Sequence, residues 1–235
     1  MMYNEDIPLL KEYLLILDSI NVTGIIYDDL AVLNIVKNLK LNIPLVWFGI
    51  HSFTNYYTSN YWYEKGVKYG VLSTEITLDQ IKKISNNTKL ITMMYGYGYL
   101  PMFVSARPLI TSYFKHINKP YEKKVYNMYE SQRNKTYPTI ENEEGTIILS
   151  SDIINTIEEL PDISKMVDYL ILSSLNISKD KFTNIYEYYI KALSFLDNKE
   201  ELKKISQDVS NESDHKTDKG FLYKETVYRV KNSDN

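Results

Sequence analysis

The sequence of 235 residues contains no cysteine, and this absence excludes several kinds of site at once. Disulfides, a thiol nucleophile, cysteine-ligated zinc and iron–sulfur clusters all depend on cysteine side chains. Histidine is scarce as well, because His51, His116 and His215 stand far apart and no H-E-x-x-H spacing occurs. We therefore expect neither a metal site nor a cofactor in this chain.

Long hydrophobic runs and a strong excess of one charge are also missing. No apolar run reaches the roughly 18 residues that would suggest a membrane span. The start, MMYNEDIPLLKEY, carries acids among its apolar residues and lacks the basic region of a signal peptide. A formal net charge of −3 and a pI of about 5.7 argue against tight binding of nucleic acid by the chain alone. We expect a cytoplasmic protein that makes no membrane contact.

The chain does contain a regular alternation of helical and strand-like segments with short connections. The strand-like segments are continuous apolar runs, which is typical of a parallel sheet covered by helices. Six such strands are predicted, at 23–27, 44–48, 69–73, 89–97, 146–149 and 168–174. The pattern favours an α/β fold, either a doubly wound sheet or a (β/α) barrel that is two strands short of the usual eight.

Three stretches are predicted to organise the chain. Residues 1–205 form the main domain, and 206–219, SQDVSNESDHKTDK, read as a polar linker. Residues 220–235 begin with a strand-like alternation and form a small C-terminal extension. Within the main domain, 119–136 are predicted to be irregular and 152–160 helical.

The helix predicted at 54–66 is crowded with aromatic residues in a chain that has 22 tyrosines. At 100° per residue the five rings surround the helix, so no single flat platform can hold them all. They are Tyr56, Tyr57, Tyr61, Trp62 and Tyr63. We expect most of these rings to pack between the helix and its neighbours.

The segment PMFVSARPLI, 101–110, places Ser105 and Arg107 directly after a predicted strand. Parallel sheets present their ligand-facing loops at this point. Arg107 precedes a proline, which favours a junction between loop and helix rather than a helix interior. An arginine held there suits a carboxylate or phosphate group. A structural salt bridge is the alternative.

A locally basic stretch with interleaved tyrosines covers 115–135. Its cations are Lys115, Lys119, Lys123, Lys124, Arg133 and Lys135. Such a stretch could follow a phosphate backbone, or it could be no more than a solvated face.

Four separated segments carry a family resemblance: TNYYTSNYWYEKGVKYGVLSTEITLDQI, YGYLPMFVSARPLITSYF, YPTIENEEGTIILSSDIINTIEELP and GFLYKETVYRVKN. Together they resemble the collagenase-like peptidase family U32, and within it the Gram-positive branch linked to hydroxylation of the tRNA wobble uridine. The similarity runs in order over residues 1–231.

The resemblance implies a (β/α) barrel-like domain, so we predict an incomplete TIM-barrel-like fold with about six parallel strands. Many family members carry cysteines that bind an iron–sulfur cluster, and some are described as proteases. In the tRNA branch two related subunits work together, and one of them lacks the cluster cysteines. This chain would correspond to that subunit, with a cysteine-bearing paralogue as its partner and tRNA contact through the complex.

The sequence also departs from the family pattern. The strand–helix–strand unit that usually comes first is absent, and Ile50 stands where an acidic or amide residue is usual. Tyr97 replaces a histidine, Ala106 a lysine and Asn155 a cysteine. Residues 171–174 lack the expected K-I-[DE]-G. These changes remove most of the acid–base and anion-binding groups that a barrel mouth would offer.

The positions that match the family, together with the altered position Tyr97, give the candidate site. The substrate-binding candidates are Asn55, Glu75, Ser105 and Arg107, and the supporting rim residues are Thr54, Tyr97 and Gly98. No catalytic residue is assigned, and whether the chain is an enzyme stays open.

We predict a cysteine-free, non-catalytic subunit that assists tRNA wobble-uridine hydroxylation. The alternatives are a peptidase acting on peptides and a decayed barrel without activity.

Overall fold

The computed structural model describes residues 2–224, which form eight α-helices and eleven β-strands. The first elements in chain order are α1 (Ile7–Ser19), β1 (Ile25–Tyr27), α2 (Leu30–Asn38), β2 (Leu45–Trp47), α3 (Tyr56–Glu64), β3 (Tyr69–Val71), α4 (Leu78–Ser85), β4 (Ile91–Gly98), β5 (Pro101–Ser105) and α5 (Leu109–His116). The remaining ones are β6 (Tyr126–Glu130), β7 (Lys135–Asn142), β8 (Gly145–Leu149), β9 (Ile153–Asn155), α6 (Leu160–Ile163), β10 (Tyr169–Leu172), α7 (Lys179–Ala192), α8 (Lys199–Glu212) and β11 (Thr217–Asp218). The protein is a mixed α/β protein with a parallel-strand sheet, as the alternating pattern predicts.

The chain divides into two compact units. The first comprises Met1–Met94, Pro161–Ile171 and the segment from Lys219 onward, and the second comprises Tyr95–Leu160 and Leu172–Asp218. Among residues 2–224 no helix combines the length and hydropathy needed to cross a membrane.

The first unit is built on four parallel strands in the order β1-β2-β3-β4. Each helix that follows one of the first three strands has a polar residue at its start. The side chains of Asp29, Asn55 and Thr77 accept hydrogen bonds from backbone N–H groups in the first turns of α2, α3 and α4. Such caps satisfy donors that have no partner inside the helix. Trp47 and Phe53 lie in the buried core between sheet and helices.

The second unit contains an antiparallel sheet in the order β5-β8-β7-β6. In the same unit the end of β4 pairs antiparallel with β9, and β9 pairs in parallel with β11. Helices α7 and α8 bury one apolar side each, with Ile185 and Tyr189 on α7 and Leu202, Ile205 and Val209 on α8.

Two strand predictions in the second unit are wrong. The stretch 119–136, predicted to be irregular, contains β6 and the start of β7, which pair as an antiparallel hairpin. Residues 146–149, predicted as part of the parallel series, lie in β8 between two antiparallel neighbours. Strand β6 has no buried residue, and residues 127–129 are exposed on both faces, so the strand lacks the apolar pattern by which the others were predicted.

Two further predictions are corrected by local structure. The stretch 152–160, predicted to be helical, begins with strand β9 and becomes helical only after Asn155. The polar linker predicted at 206–219 is helical over 206–212, as the second half of α8, and includes β11. The apolar residues Leu202, Ile205 and Val209 recur at helical spacing and are buried, which outweighs the polar composition of the exposed side.

The small C-terminal extension predicted at 220–235 is described only in its first part. Residues 220–224 form turns, and the rest of the predicted strand-like segment lies outside the described residues.

Candidate functional site

The carboxyl ends of the parallel strands in the first unit form the edge where ligands bind in sheets of this kind. Strands β2 and β3 are neighbours, so the loops that follow them leave the sheet side by side. The N–H of Ser73 donates to the carbonyl of Phe53 at 3.1 Å and ties the two loops together. Phe53 itself is fully buried. The hydrogen bond and the buried ring therefore hold the backbone of both loops in place at this edge.

Thr54 and Asn55 lie in the first of these loops, where Asn55 is the residue that caps α3. Asn55 is exposed, and its Oδ1 accepts from the N–H of Thr58 at 2.9 Å and from the Thr58 hydroxyl at 3.1 Å. The carbonyl side of the amide is thus committed to capping α3. Within the described chain the Nδ2 group has no partner, so it is the part of Asn55 that remains for a ligand.

Glu75 lies in the second loop and contacts His51, with 3.4 Å between Oε1 and Nδ1. The glutamate side chain is 18% exposed and the imidazole 41%. Spacing along the chain gives His51 no partner, because Glu75 lies 24 residues further on. The signal that would have found the pair is the adjacency of β2 and β3, whose following loops carry one residue each.

A cavity of about 500 Å³ opens at the same edge, beside the ends of β1 and β2 and against α3. Its lining consists of Asp28, Leu30, Trp47, Phe48, Gly49, Ile50, Ser52, Thr58, Tyr61 and Trp62. Ile50 has a φ of 42°, in the left-handed region that a β-branched residue rarely adopts. Asparagine and aspartate tolerate this region better, so the backbone conformation alone would favour the acidic or amide residue that the family resemblance implies there.

In the second unit, Ser105 and Arg107 lie where β5 ends and α5 approaches. The backbone N–H of Arg107 donates to the Ser105 hydroxyl at 3.2 Å, and the Arg107 carbonyl accepts from the Thr146 hydroxyl at 2.8 Å. Gly145 packs so tightly here that a Cβ would lie 2.0 Å from the Ser105 carbonyl oxygen. The Arg107 side chain is exposed and forms no ion pair among residues 2–224. Of the two alternatives for Arg107, the structural salt bridge is absent from the described part of the chain.

Tyr97 and Gly98 close β4 in the second unit. Tyr97 is fully buried, and its hydroxyl shares a hydrogen bond with the Ser213 hydroxyl at 2.8 Å. Burial raises the pKa of this phenol, and the Ser213 hydrogen bond offsets part of the effect. Gly98 has a φ of 118°, and a Cβ there would lie 2.7 Å from the Ser173 carbonyl oxygen. Both residues therefore act in packing.

Asn155, at the position where the family resemblance implies a cysteine, belongs to a buried polar network. Its Nδ2 donates to the carbonyl of Ser206 at 3.1 Å and to the Ser206 hydroxyl at 3.2 Å. The Tyr189 hydroxyl donates to the carbonyl of Gly96 at 2.6 Å and accepts from the N–H of Thr156 at 3.0 Å. Burial raises the pKa of Tyr189 far above its usual range. The network joins β9, α7 and α8 inside the second unit.

The described residues bring polar groups together at two places, one in each unit. In the first unit, Thr54, Asn55 and the Glu75–His51 pair share one edge, and in the second, Ser105 lies next to Arg107. No group of three or more His, Asp or Glu side chains within residues 2–224 could hold a metal ion.

A comparison with known families places this α/β protein. The model of Peptidase family U32 matches residues 1–232, and the chain belongs to that family. It is 31% identical over 251 residues to the "tRNA hydroxylation protein P2" of Bacillus subtilis (strain 168), covering 96% of this chain and 78% of that protein.

A second relative is an uncharacterized protease of Methanocaldococcus jannaschii. It is 28% identical over 242 residues, which cover 95% of this chain and 57% of that protein. The chain thus spans little more than half of this relative. No solved structure matches the chain.

Proposed function

We propose that this protein is a cysteine-free, non-catalytic subunit that assists hydroxylation of the tRNA wobble uridine. The observation that carries the proposal concerns two residues that differ from the family pattern and have a structural role. Tyr97 and Asn155 stand where a histidine and a cysteine are expected, and both are buried and hydrogen-bonded within the second unit. Positions that would supply chemistry instead hold the unit together. The similarity to the Bacillus subtilis protein named for tRNA hydroxylation supports the choice of process.

The proposal includes a fold and a partner. The four parallel strands of the first unit would be part of an incomplete (β/α) barrel of the TIM type. The reacting centre would lie on a cysteine-bearing family member that carries the iron–sulfur cluster, in the cytoplasm of a Gram-positive bacterium. In this chain, the residues that would bind and orient the substrate are Asn55, Glu75, Ser105 and Arg107.

Co-purification tests the partnership directly. The tagged full chain is co-expressed with a cysteine-bearing paralogue from the same genome, and the complex is sized after affinity capture. In parallel, the gene is deleted and the wobble nucleoside is analysed by mass spectrometry of digested tRNA. We expect a mixed complex and loss of the hydroxylated uridine. Recovery of the monomer alone, with unchanged modification, would refute the proposal.

A peptidase is the second candidate function, and the protease among the relatives favours it. Arg107, exposed and without an ion pair in the described chain, could hold the carboxylate of a peptide. Purified protein is incubated with gelatin, and the Arg107→Ala variant serves as the comparison. Cleavage by the wild type that is abolished in the variant would establish this function, whereas equal cleavage by both would indicate a contaminating protease.

A further inference from the structure

The second unit carries a cationic and aromatic surface at the end of α5 that the candidate site does not include. We define the α5–β6 surface by Tyr113, Lys115, Lys119, Tyr121 and Lys123. Residues 115–135 contain six cationic and two acidic side chains, whereas the whole chain has a formal net charge of −3. Six cations against two acids give this segment a formal net charge of +4 in a chain that is acidic as a whole.

Aromatic packing gives the segment a fixed shape. The rings of Phe114, Tyr121 and Tyr126 form a cluster, with centroids 5.1 Å apart for Phe114 and Tyr126 and 6.1 Å apart for the stacked Tyr121 and Tyr126. The Tyr126 hydroxyl donates to the carbonyl of Glu122 at 2.9 Å, and the N–H of Lys119 donates to the carbonyl of Phe114 at 3.0 Å. The connection between α5 and β6 is thus held against both elements.

The six cations of the segment separate into two groups. Three are neutralised by neighbouring carboxylates: Lys124 by Glu122, Arg133 by Glu130, and Lys135 by Asp152. The other three, Lys115, Lys119 and Lys123, are exposed and form no ion pair among residues 2–224. All three belong to the end of α5 or to the connection that follows it. Their charge is therefore available to a polyanion.

Tyr113 adds a stacking surface to this charge. Its side chain is 59% exposed near the end of α5, and its ring meets that of Phe114 edge-on with 5.8 Å between the centroids, so it extends the aromatic cluster. An exposed ring on an aromatic cluster, together with exposed lysines in the same segment, is the combination with which proteins hold the backbone of RNA and stack an unpaired base.

We propose that the α5–β6 surface binds tRNA, with Lys115, Lys119 and Lys123 contacting phosphates and Tyr113 stacking on an unpaired base. The choice of RNA as the polyanion rests on the proposed function. The contact is independent of base sequence, because lysines read charge and a ring accepts any base.

Fluorescence anisotropy measures the binding of unmodified tRNA to the full chain, alone and with its co-purified partner. The salt concentration is varied between about 50 and 200 mM, because binding through phosphate contacts weakens by orders of magnitude over this range. The test variant carries Lys115→Gln, Lys119→Gln and Lys123→Gln. The matched control carries Lys11→Gln, Lys83→Gln and Lys203→Gln, which remove the same charge from exposed lysines elsewhere. A second pair compares Tyr113→Ala with Tyr113→Phe.

For the test variant we expect binding that is weaker by about tenfold or more and a salt slope reduced by about 2, since each phosphate contact contributes roughly 0.7 to 0.9. The control variant should bind within about twofold of the wild type, because no phosphate contact is lost. Tyr113→Ala should weaken binding about fivefold or more and Tyr113→Phe should restore it. Equal losses in test and control variants, or an unchanged salt slope, would overturn the proposal.

Failure of this surface can be told apart from failure of the proposed function. If the wild-type protein does not bind tRNA but deletion of the gene still abolishes hydroxylation, the α5–β6 surface is overturned as an RNA site and the proposed function is not. Binding that needs the three lysines, with modification unchanged on deletion, supports the surface and overturns the role in hydroxylation. If anionic lipid vesicles bind the protein as strongly as tRNA does, and this binding also needs the three lysines, the surface is a membrane contact and the RNA proposal is overturned.

Discussion

Ile50 shows how a single backbone conformation can explain a residue preference. Its φ of 42° lies in a region that penalises a branched Cβ, and the loop around it is fixed by the buried Phe53 that follows. The preference of the family pattern for an acid or amide at this position need not reflect chemistry, because asparagine adopts this conformation at lower cost.

Replacing Ile50 by asparagine should therefore stabilise the protein. Relief of the strained conformation is expected to raise the free energy of unfolding by about 1 kcal/mol, the lower end of the cost of such strain. Ile50 is only half-buried, so little apolar burial is lost. Urea denaturation measures the change, and Ile50→Val is the control, since valine is also branched. A gain of equal size in both variants would contradict the explanation.

The hydroxyl of Tyr189 should contribute measurably to stability, because it is buried and has two backbone partners, Gly96 and Thr156. Tyr189→Phe is expected to lower the free energy of unfolding by about 1 to 2 kcal/mol, the cost of leaving a buried group without its partner. Tyr186→Phe, on the exposed side of the same helix, is the matched control and should change stability by no more than about 0.5 kcal/mol. Equal effects of the two changes in thermal and urea unfolding would argue against a structural role for the network.

At the scale of elements, α5 begins without a capping side chain of its own. Pro108 stands at the cap position, and the carboxylate of Glu141 on β7 takes over the role. It accepts from the N–H groups of Ile110 at 2.7 Å and Thr111 at 3.2 Å, and from the Thr111 and Thr146 hydroxyls. A negative charge at the first turn of a helix is favourable. The helix that carries the α5–β6 surface is thus fixed to the antiparallel sheet.

The same contacts predict a dependence of stability on pH. Burial by itself raises the pKa of Glu141, but the hydrogen bonds from Thr111, Ile110 and Thr146 outweigh it and hold the pKa below 4.5. Because the folded-state pKa is lowered, this stabilisation is present above the pKa of the unfolded chain and is lost as pH falls through the folded value. Glu141→Gln should lower the unfolding free energy at pH 7 by about 2 kcal/mol.

Urea denaturation between neutral and acidic pH compares Glu141→Gln with wild type. The difference in unfolding free energy between the two proteins should shrink as pH falls below 4.5, the usual value for a glutamate. Glu143→Gln, which alters an exposed carboxylate in the neighbouring turn, should follow the wild-type curve. A constant difference at every pH would show that the carboxylate charge is not responsible.

The elements differ in how well the sequence predicts them, for physical reasons. Continuous apolar runs at β1 to β4 predicted the parallel strands, since buried strands need no polar side. The edge strand β6 was not predicted, because Asn127, Met128 and Tyr129 are all exposed and give the segment the pattern of a loop. In α8 the buried Ile205 and Val209 belong to a sparse apolar stripe, and a polar linker seemed the better interpretation of the residues around them.

At the scale of the whole molecule, the sequence predicts which polar residues lie near the ends of strands, but it does not predict their roles. Asn55 and Glu75 lie in loops after parallel strands, as the topology rule predicts. Whether such residues bind a ligand or stabilise a loop depends on contacts between distant segments. The capping of α3 by Asn55 and the contact of Glu75 with His51 are of that kind, and no local pattern contains them.

If the reacting centre lies on the partner, the polar candidates of this chain should be dispensable for chemistry. In a strain that lacks the gene, a plasmid copy carrying Glu75→Gln and Arg107→Gln should still restore part of the hydroxylated wobble uridine, because the two side chains would bind and orient the substrate without reacting with it. Neither change removes a core side chain, so folding should be unaffected. A copy with Lys115→Gln, Lys119→Gln and Lys123→Gln should restore less, because tRNA binding weakens with each lost phosphate contact. Loss of modification in the first variant, with folding and tRNA binding intact, would place Glu75 or Arg107 in the reaction itself and contradict a non-catalytic role.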